Sequence, residues 1–153
     1  MTEPDRLKLL ALDDEDLAVI SAHVQDAVLK VRDLLYLPAE KRFAIAMNRF
    51  IWEEADGRRK TYERRRAALS FDRVQAVKLN RIRRDRPDAV LELLAVSFEA
   101  TDAPAGAITL YFAGGGALRI EVECIEARLA DLGAAWATTA MPSHDLAADT
   151  KIA

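Results

Sequence analysis

The residues best suited to chemistry are a cluster of arginines and lysines between residues 58 and 86. This segment has twelve basic and three acidic residues, a local charge of +9. The other ten basic and twenty-two acidic residues sum to −12, so the whole chain carries −3. Arginine makes bidentate contacts with phosphate and carboxylate groups. The candidate binding residues for an anionic partner are Arg58, Arg59, Lys60, Arg64, Arg65, Arg66, Arg81, Arg83 and Arg84.

Three interpretations of this cluster stay open. The arginines could lie on solvated loops that pair with acidic faces of the same fold or of a second copy, or they could dock an acidic protein partner. They could also bind the phosphates of a nucleotide or nucleic acid, with Trp52 and Tyr62 available for stacking. A dedicated nucleic-acid binder is usually basic overall, whereas this chain is acidic. We expect residues 58–66 to be exposed, because six basic residues with one acid are costly to desolvate.

Catalytic and metal-binding residues are sparse. The histidines and the cysteine, His23, His144 and Cys124, form no CxxC or HxxxH pattern, so we predict no metal site within one chain. Neither Ser21 nor Ser97 lies in a GxSxG turn, and only His23 falls in a predicted element, where it is expected at the margin of a helix. The sequence therefore predicts no cofactor and favours a non-enzymatic protein, with an enzyme of unrecognised site left as an alternative.

Two further motifs have structural interpretations. Gly114, Gly115 and Gly116 could cradle a phosphate, but no Lys-Ser or Lys-Thr follows and the next segment is strand-like, so a hairpin tip is expected. The acidic run at residues 13–16 is typical of a capped helix N-terminus, because carboxylates stabilise the positive end of the helix dipole.

Composition sets the broad class. A chain of 153 residues, 51% apolar and 31% charged, is typical of one globular domain. No apolar run approaches the roughly 20 residues that span a bilayer, so no membrane partner is predicted. An acidic N-terminus without a signal pattern and a single cysteine favour the cytoplasm.

The periodicity of the chain predicts strands, two helices and two charged loops. Asp13 should cap a first helix that ends near Ala27. Its apolar face is expected to carry Leu17, Ile20, Val24 and Ala27, and could extend to Val28. The predicted strands cover residues 7–12, 28–37, 42–52, 67–71, 74–79 and 90–98, with a terminal hairpin after residue 106. A bulge or an exposed edge is expected at Asp33, a turn at residues 38–41, and polar loops at residues 55–66 and 80–88.

The segment after residue 106 determines the predicted fold class. Leu118, Ile120 and Val122 alternate with charged residues as in a half-buried strand, and residues 125–132 then show helical spacing before Gly133. Short connections imply antiparallel pairing. The expectation is an α+β fold with an antiparallel sheet of six or seven strands and one helix at each end. By analogy, a curled half-barrel of the pleckstrin-homology type is one form of it. Residues 1–136 should be the domain and residues 137–153 a flexible tail.

Three segments carry a resemblance to a known family. They read LKLLALDDEDLAVISAHVQDAVLKV, YLPAEKRFAIAMNRFIWE and GALRIEVECIEARLADLG, the last followed by WAT at residues 136–138. Together they resemble a family of small bacterial proteins, mostly alphaproteobacterial, that is described only as a domain of unknown function. The resemblance covers residue 7 to about residue 142 and implies no activity, cofactor or catalytic residue.

The function that the sequence favours is therefore a non-enzymatic interaction or accessory domain. Its arginine-rich loops would contact an acidic partner or a second copy of the chain. Binding of a nucleotide or nucleic acid through the same loops is the main alternative.

Overall fold

The computed structural model describes residues 6–51, 62–133 and 136–138. In this part of the chain there is one α-helix, α1 (Asp14–Val24), and eleven β-strands. The strands are β1 (Lys8–Ala11), β2 (Val28–Lys30), β3 (Leu34–Leu37), β4 (Arg42–Phe50), β5 (Tyr62–Phe71), β6 (Val74–Asn80), β7 (Val90–Ala100), β8 (Gly106–Phe112), β9 (Ala117–Val122), β10 (Ala127–Asp131) and β11 (Trp136–Thr138).

Helix α1 begins and packs as its sequence predicts. The Asp13 side chain accepts a hydrogen bond from the backbone N–H of Asp16 at 2.8 Å, which satisfies one of the donors left unpaired at a helix start. Leu17, Ile20 and Val24 are fully buried. The helix ends at Val24, three residues before the predicted end, and Asp26 then adopts a positive φ of 63° that leads the chain into β2.

The strands form one antiparallel sheet in the order β1-β10-β5-β4-β2-β7-β8-β9-β6, with β3 also paired to β4 and β11 to β5. Strand β7 connects the part of the sheet from β1 to β2 with the part from β8 to β6, because the start of β7 pairs with β2 and its remainder pairs with β8. The order leaves β1 and β6 at the ends of the path, so the sheet is not closed into a barrel.

The predicted fold class is wrong in its helix count and its strand count. The expected C-terminal helix is strand β10, which is hydrogen-bonded to β1 on one side and β5 on the other. The spacing of Ile125, Leu129 and Leu132 fits a helix, but Ala127, Leu129 and Asp131 are buried at every second position, and Leu132 is 54% exposed. An α+β half-barrel with two helices is therefore replaced by an open, mostly β sheet with one described helix.

The core lies on the face of the sheet that α1 covers. In β9 the predicted alternation is confirmed, because Leu118, Ile120 and Val122 are buried while Arg119 and Glu121 are only half-buried. The same alternation runs through residues 43–49 of β4 and 65–71 of β5, and the buried apolar residues of these two stretches join α1 in one hydrophobic cluster. A buried, alternating face of this kind fixes the register of each strand.

The predicted strand at residues 28–37 is broken in the middle. A 3-10 turn at Val31–Asp33 separates β2 from β3, and the Asp33 carboxylate accepts the Lys30 N–H at 2.9 Å. The chain is therefore irregular at Asp33, but the irregularity is a 3-10 turn that separates two strands and not the predicted bulge or exposed edge. After the 3-10 turn, β3 forms the expected hairpin with β4 through a turn at Pro38–Glu40, whereas β2 lies between β4 and β7.

Two predictions fall partly outside the described residues. Strand β11 covers residues 136–138, across the predicted domain boundary, and the rest of the predicted tail is not described. Trp52 and residues 58–60 of the arginine cluster are likewise outside the description.

In the described residues, no helix has both the length and the apolar character needed to cross a membrane.

Candidate functional site: an arginine-bordered cleft

The structure divides the predicted arginine patch between two places. Arg64 and Arg65 are buried and Arg66 is half-buried, all on β5. Arg81, Arg83 and Arg84 are exposed on the loop of residues 81–89. Arg58, Arg59 and Lys60 lie outside the described residues. The patch is therefore not one surface: part of it belongs to the interior of the fold.

Arg65 belongs to a buried ion-pair cluster with Arg49 and Asp131. Arg49 lies opposite Arg65 across β4 and β5, and donates from Nε and Nη2 to the two carboxylate oxygens of Asp131 at 2.8 and 2.9 Å. Arg65 Nη1 lies 3.4 Å from Asp131 Oδ2, and the Leu7 N–H donates to the same oxygen at 2.8 Å. The Arg49 and Asp131 side chains are fully buried.

The charge state of Asp131 follows from these contacts. Burial alone would raise the pKa of the carboxyl, but the hydrogen bond from Arg49, the Leu7 N–H and the charges of both arginines outweigh it, so the pKa is lowered. Asp131 is therefore ionised at neutral pH and serves as the counterion inside the fold.

The arginines on the opposite face of β5, Arg64 and Arg66, also make contacts within the fold. Arg64 Nη1 donates to the backbone carbonyl of Asn48 at 3.1 Å, and its guanidinium lies 5.8 Å from the centre of the Phe50 ring. Arg66 donates to the Asn48 side chain at 3.1 Å and to Asp33 at 3.2 Å. The polar groups of these two side chains are therefore bonded to other residues of the same fold.

The prediction that residues 58–66 form an exposed loop is wrong for Arg64 and Arg65. Carboxylates far away in sequence offset the desolvation of the charge on this strand, since Asp131 pairs with Arg65 and Asp33 with half-buried Arg66. One signal could have identified the strand: continuing the alternation of Ala67, Leu69 and Phe71 backwards places Arg65 on the core face.

The remaining arginines lie on a loop that backbone hydrogen bonds hold in place. Residues 81–89 are tied to the turn before β3 by bonds from the Val31 N–H to Ala89 O at 3.0 Å and from the Arg32 N–H to Pro87 O at 2.9 Å. An ion pair between Arg32 and Asp88 reinforces this join. The expected charged loop at residues 80–88 is therefore confirmed, and it has a fixed position.

The charges on this loop are unevenly paired. Arg83 donates to both carboxylate oxygens of Asp85 at 3.1 and 2.8 Å, and this bond lowers the pKa of Asp85. The side chains of Arg81, Arg84 and Arg86 form no ion pair with any residue that the structure describes. The loop thus presents positive charge that the described part of the fold does not neutralise.

A cleft of about 460 Å³ lies beside this loop, between β3 and β6. Its described walls are mostly apolar, and the polar side chains among the described lining residues are two arginines and one tyrosine. The lining residues are Val31, Arg32, Leu34, Tyr36, Phe43, Val77, Leu79, Ile82, Arg84 and Pro87. The volume is within the range of roughly 300–1,000 Å³ that is typical of small-molecule pockets.

Both ends of the cleft are closed by backbone hydrogen bonds. At one end the Val74 N–H donates to Lys41 O at 2.9 Å, which ties the start of β6 to the turn after β3. At the other end the bonds of Val31 and Arg32 to residues 87–89 close the gap. The cleft is therefore a bounded slot between two strands that do not pair with each other.

The other candidate residues do not join this site. His23 is half-buried on α1, as expected for a helix margin, and Cys124 is half-buried between β9 and β10 rather than before a helix. Gly114 and Gly115 have φ values of 86° and 96° in the turn between β8 and β9, which confirms the predicted hairpin tip. His144 lies outside the described residues. In those residues no group of three or more potential metal ligands is found.

Comparisons with known proteins add the family but no activity. Curated proteins and solved structures give no significant match. A family described as protein of unknown function (DUF2948) has a model that matches residues 7–144, which include every described strand and helix. On this match the chain belongs to the DUF2948 family.

Proposed function

We propose that the protein is a non-enzymatic binding domain that recognises an anionic partner through the loop of residues 81–89 and the adjoining cleft. The observation that carries this proposal is the combination of an exposed, unneutralised set of arginines with an adjoining cleft of about 460 Å³. The buried arginines of β5 do not belong to this surface. The candidate contact residues are therefore Arg81, Arg84 and Arg86, together with Arg83, whose side chain is hydrogen-bonded to Asp85.

The lining of the cleft supports binding rather than catalysis. Among the residues that the structure describes, the lining contains no histidine, cysteine, serine, threonine or carboxylate, and its polar groups are the guanidinium groups of Arg32 and Arg84 and the hydroxyl of Tyr36. General acid–base or nucleophilic catalysis requires a group that exchanges protons or attacks near neutral pH, which arginine does not provide. Arg84, which no described carboxylate neutralises, is instead suited to hold an anion beside the apolar slot.

The size of the charged surface favours an acidic protein or peptide over nucleic acid. Arg83 is paired with Asp85 and Arg32 with Asp88, so three unpaired arginines remain on the described loop. Non-specific nucleic-acid binding depends on neutralising many phosphates, commonly about 6–10 contacts. The described loop is too small for that number.

The test compares two variants with the same change in net charge. Arg84→Glu/Arg86→Glu reverses the loop, and the control Lys8→Glu/Arg128→Glu reverses two exposed cations on β1 and β10. Binding of a fluorescently labelled oligo-glutamate peptide is measured by anisotropy at low salt. The loop variant should bind about tenfold more weakly, since two exposed charge contacts contribute up to about 1 kcal/mol each. The control should bind as the unaltered protein does.

Two results would count against the proposal. Equal weakening by both variants would mean that the peptide responds only to net charge. Tighter binding of a labelled single-stranded oligonucleotide, lost in the loop variant, would favour the nucleic-acid alternative. High salt should abolish the difference between the variants, because exposed charges are screened within about a Debye length.

A further inference from the structure

We propose that the cleft between β3 and β6 is a binding site for a small amphipathic carboxylate, with the carboxylate on Arg84 and the apolar part between the two strands. This inference goes beyond the proposed function: the acidic protein or peptide would contact the exposed loop of residues 81–89, whereas the small carboxylate would occupy the cleft beside it.

The walls of the cleft specify the apolar part of the ligand. Leu34 and Tyr36 come from β3, and Val77 and Leu79 from β6, with buried Phe43 of β4 contributing between them. Each of the four strand residues is only partly buried, so apolar surface remains exposed in the slot. Apolar surface in a concave slot is stabilised by an apolar ligand, roughly in proportion to the area removed from water.

The charges around the cleft specify the polar part. Arg32 is held by Asp88, whereas Arg84 makes no ion pair or hydrogen bond with any described residue. A carboxylate with its two oxygens matches the fork of a guanidinium, and such charge-assisted bonds are stronger than neutral ones. Because no described carboxylate pairs with Arg84, an incoming anion need not displace an internal partner.

The closed ends of the slot limit the size of the ligand. Val74 is bonded to Lys41 at one end and Val31 to Ala89 at the other, so an extended polypeptide could not run through it without breaking these bonds. The strand that borders the slot, β3, is four residues long. A molecule that fits inside a volume of about 460 Å³ suits the slot better than a continuous strand.

The experiment uses octanoate as the probe and octan-1-ol as its uncharged counterpart, titrated by calorimetry into the full chain. Octanoate should bind saturably at one site with a negative heat-capacity change, the marker of apolar burial. Octan-1-ol should bind about tenfold more weakly, since it cannot make the charge-assisted bonds. Leu79→Trp should weaken the binding of both by narrowing the slot.

Charge variants test the orientation of the ligand. Arg84→Gln should weaken octanoate about tenfold and leave octan-1-ol unchanged, so that the two bind alike. The control Arg128→Gln removes an exposed arginine of β10 and should change neither. If Leu79→Trp does not fold, as judged by its thermal melt, the comparison of Arg84→Gln with its control still decides the proposal.

Three results would overturn the proposal: absence of octanoate binding, equal binding of octanoate and octan-1-ol, or binding unaffected by Arg84→Gln. The oligo-glutamate experiment tells whether only the ligand class is wrong or whether the proposed function is wrong as well. If Arg84→Glu/Arg86→Glu weakens the peptide while octanoate does not bind, the surface is a binding surface and the ligand class is wrong.

Discussion

The buried cluster of Arg49, Arg65 and Asp131 gives the most direct test of the structure. Asp131→Asn keeps the size of the side chain but removes the negative charge between two arginines whose exposed fractions are 0% and 7%. Breaking a buried ion pair by removing one partner costs about 3–5 kcal/mol, because a charge is left uncompensated in the interior. Arg49 and Arg65 keep further contacts, so we expect the lower end, about 3 kcal/mol.

This loss is large for a single domain, whose total stability is about 5–15 kcal/mol. It corresponds to a fall in melting temperature of roughly 6–12 °C for a chain of this size. The assay is urea unfolding followed by circular dichroism, with a thermal melt as a second measurement. The matched control is Asp85→Asn, which removes an exposed carboxylate paired with Arg83 and should leave the unfolding midpoint unchanged.

A second variant separates the lost charge from the lost packing. In Arg49→Met/Asp131→Asn, one cation is removed together with the anion, so the double variant should be more stable than Asp131→Asn alone. If Asp131→Asn unfolds at the same urea concentration as the unaltered protein, the three side chains do not form a buried cluster and the position of β10 is in doubt.

Three other predictions follow from the same structure. The pKa of Asp131 is lowered in the fold, so the stabilisation of the fold by the ionised carboxylate should be complete above the unfolded-state pKa of about 4 and be lost as the pH falls through the folded-state pKa. Urea midpoints measured against pH should show this decline, and Asp131→Asn should show less of it. Reversing Arg64, Arg65 and Arg66 to Glu should prevent folding, the opposite of what an exposed loop would give, and a native circular dichroism spectrum would contradict the buried positions. Ile120→Asp should unfold the domain, since a buried unpaired carboxylate costs several kcal/mol, and an unchanged thermal melt would exclude Ile120 from the core.

Local patterns predict much of the fold correctly. Asp13 is a helix cap, and the alternation in β9 is buried as its spacing indicates. These features depend on residues within a few positions of one another, so periodicity and capping chemistry are sufficient to find them. The glycine turn before β9 belongs to the same class.

The errors share one cause, which is the contribution of residues distant in sequence. Strand β10 has helical spacing, but pairing with β1 and β5 satisfies its backbone and determines its conformation. Arg65 looks solvent-exposed until Asp131, 66 residues away in sequence, supplies its counterion. The cleft could not be predicted at all, because it exists only where β3 and β6 approach without pairing.

The position of β10 between β1 and β5 has a consequence for the synthesis of the chain. During translation, β1 emerges first, but its described strand partner is more than a hundred residues further along, at Ala127–Asp131. Until that segment leaves the ribosome, one edge of β5 stays open over residues 67–71, and Arg49 and Arg65 lack the carboxylate of Asp131. Pairings this distant form slowly, because the loop-closure entropy is lost before the contacts are gained. The nascent chain is thus exposed to edge-to-edge association until its last strands emerge, and a ribosome-bound chain that ends before residue 127 should be sensitive to proteases.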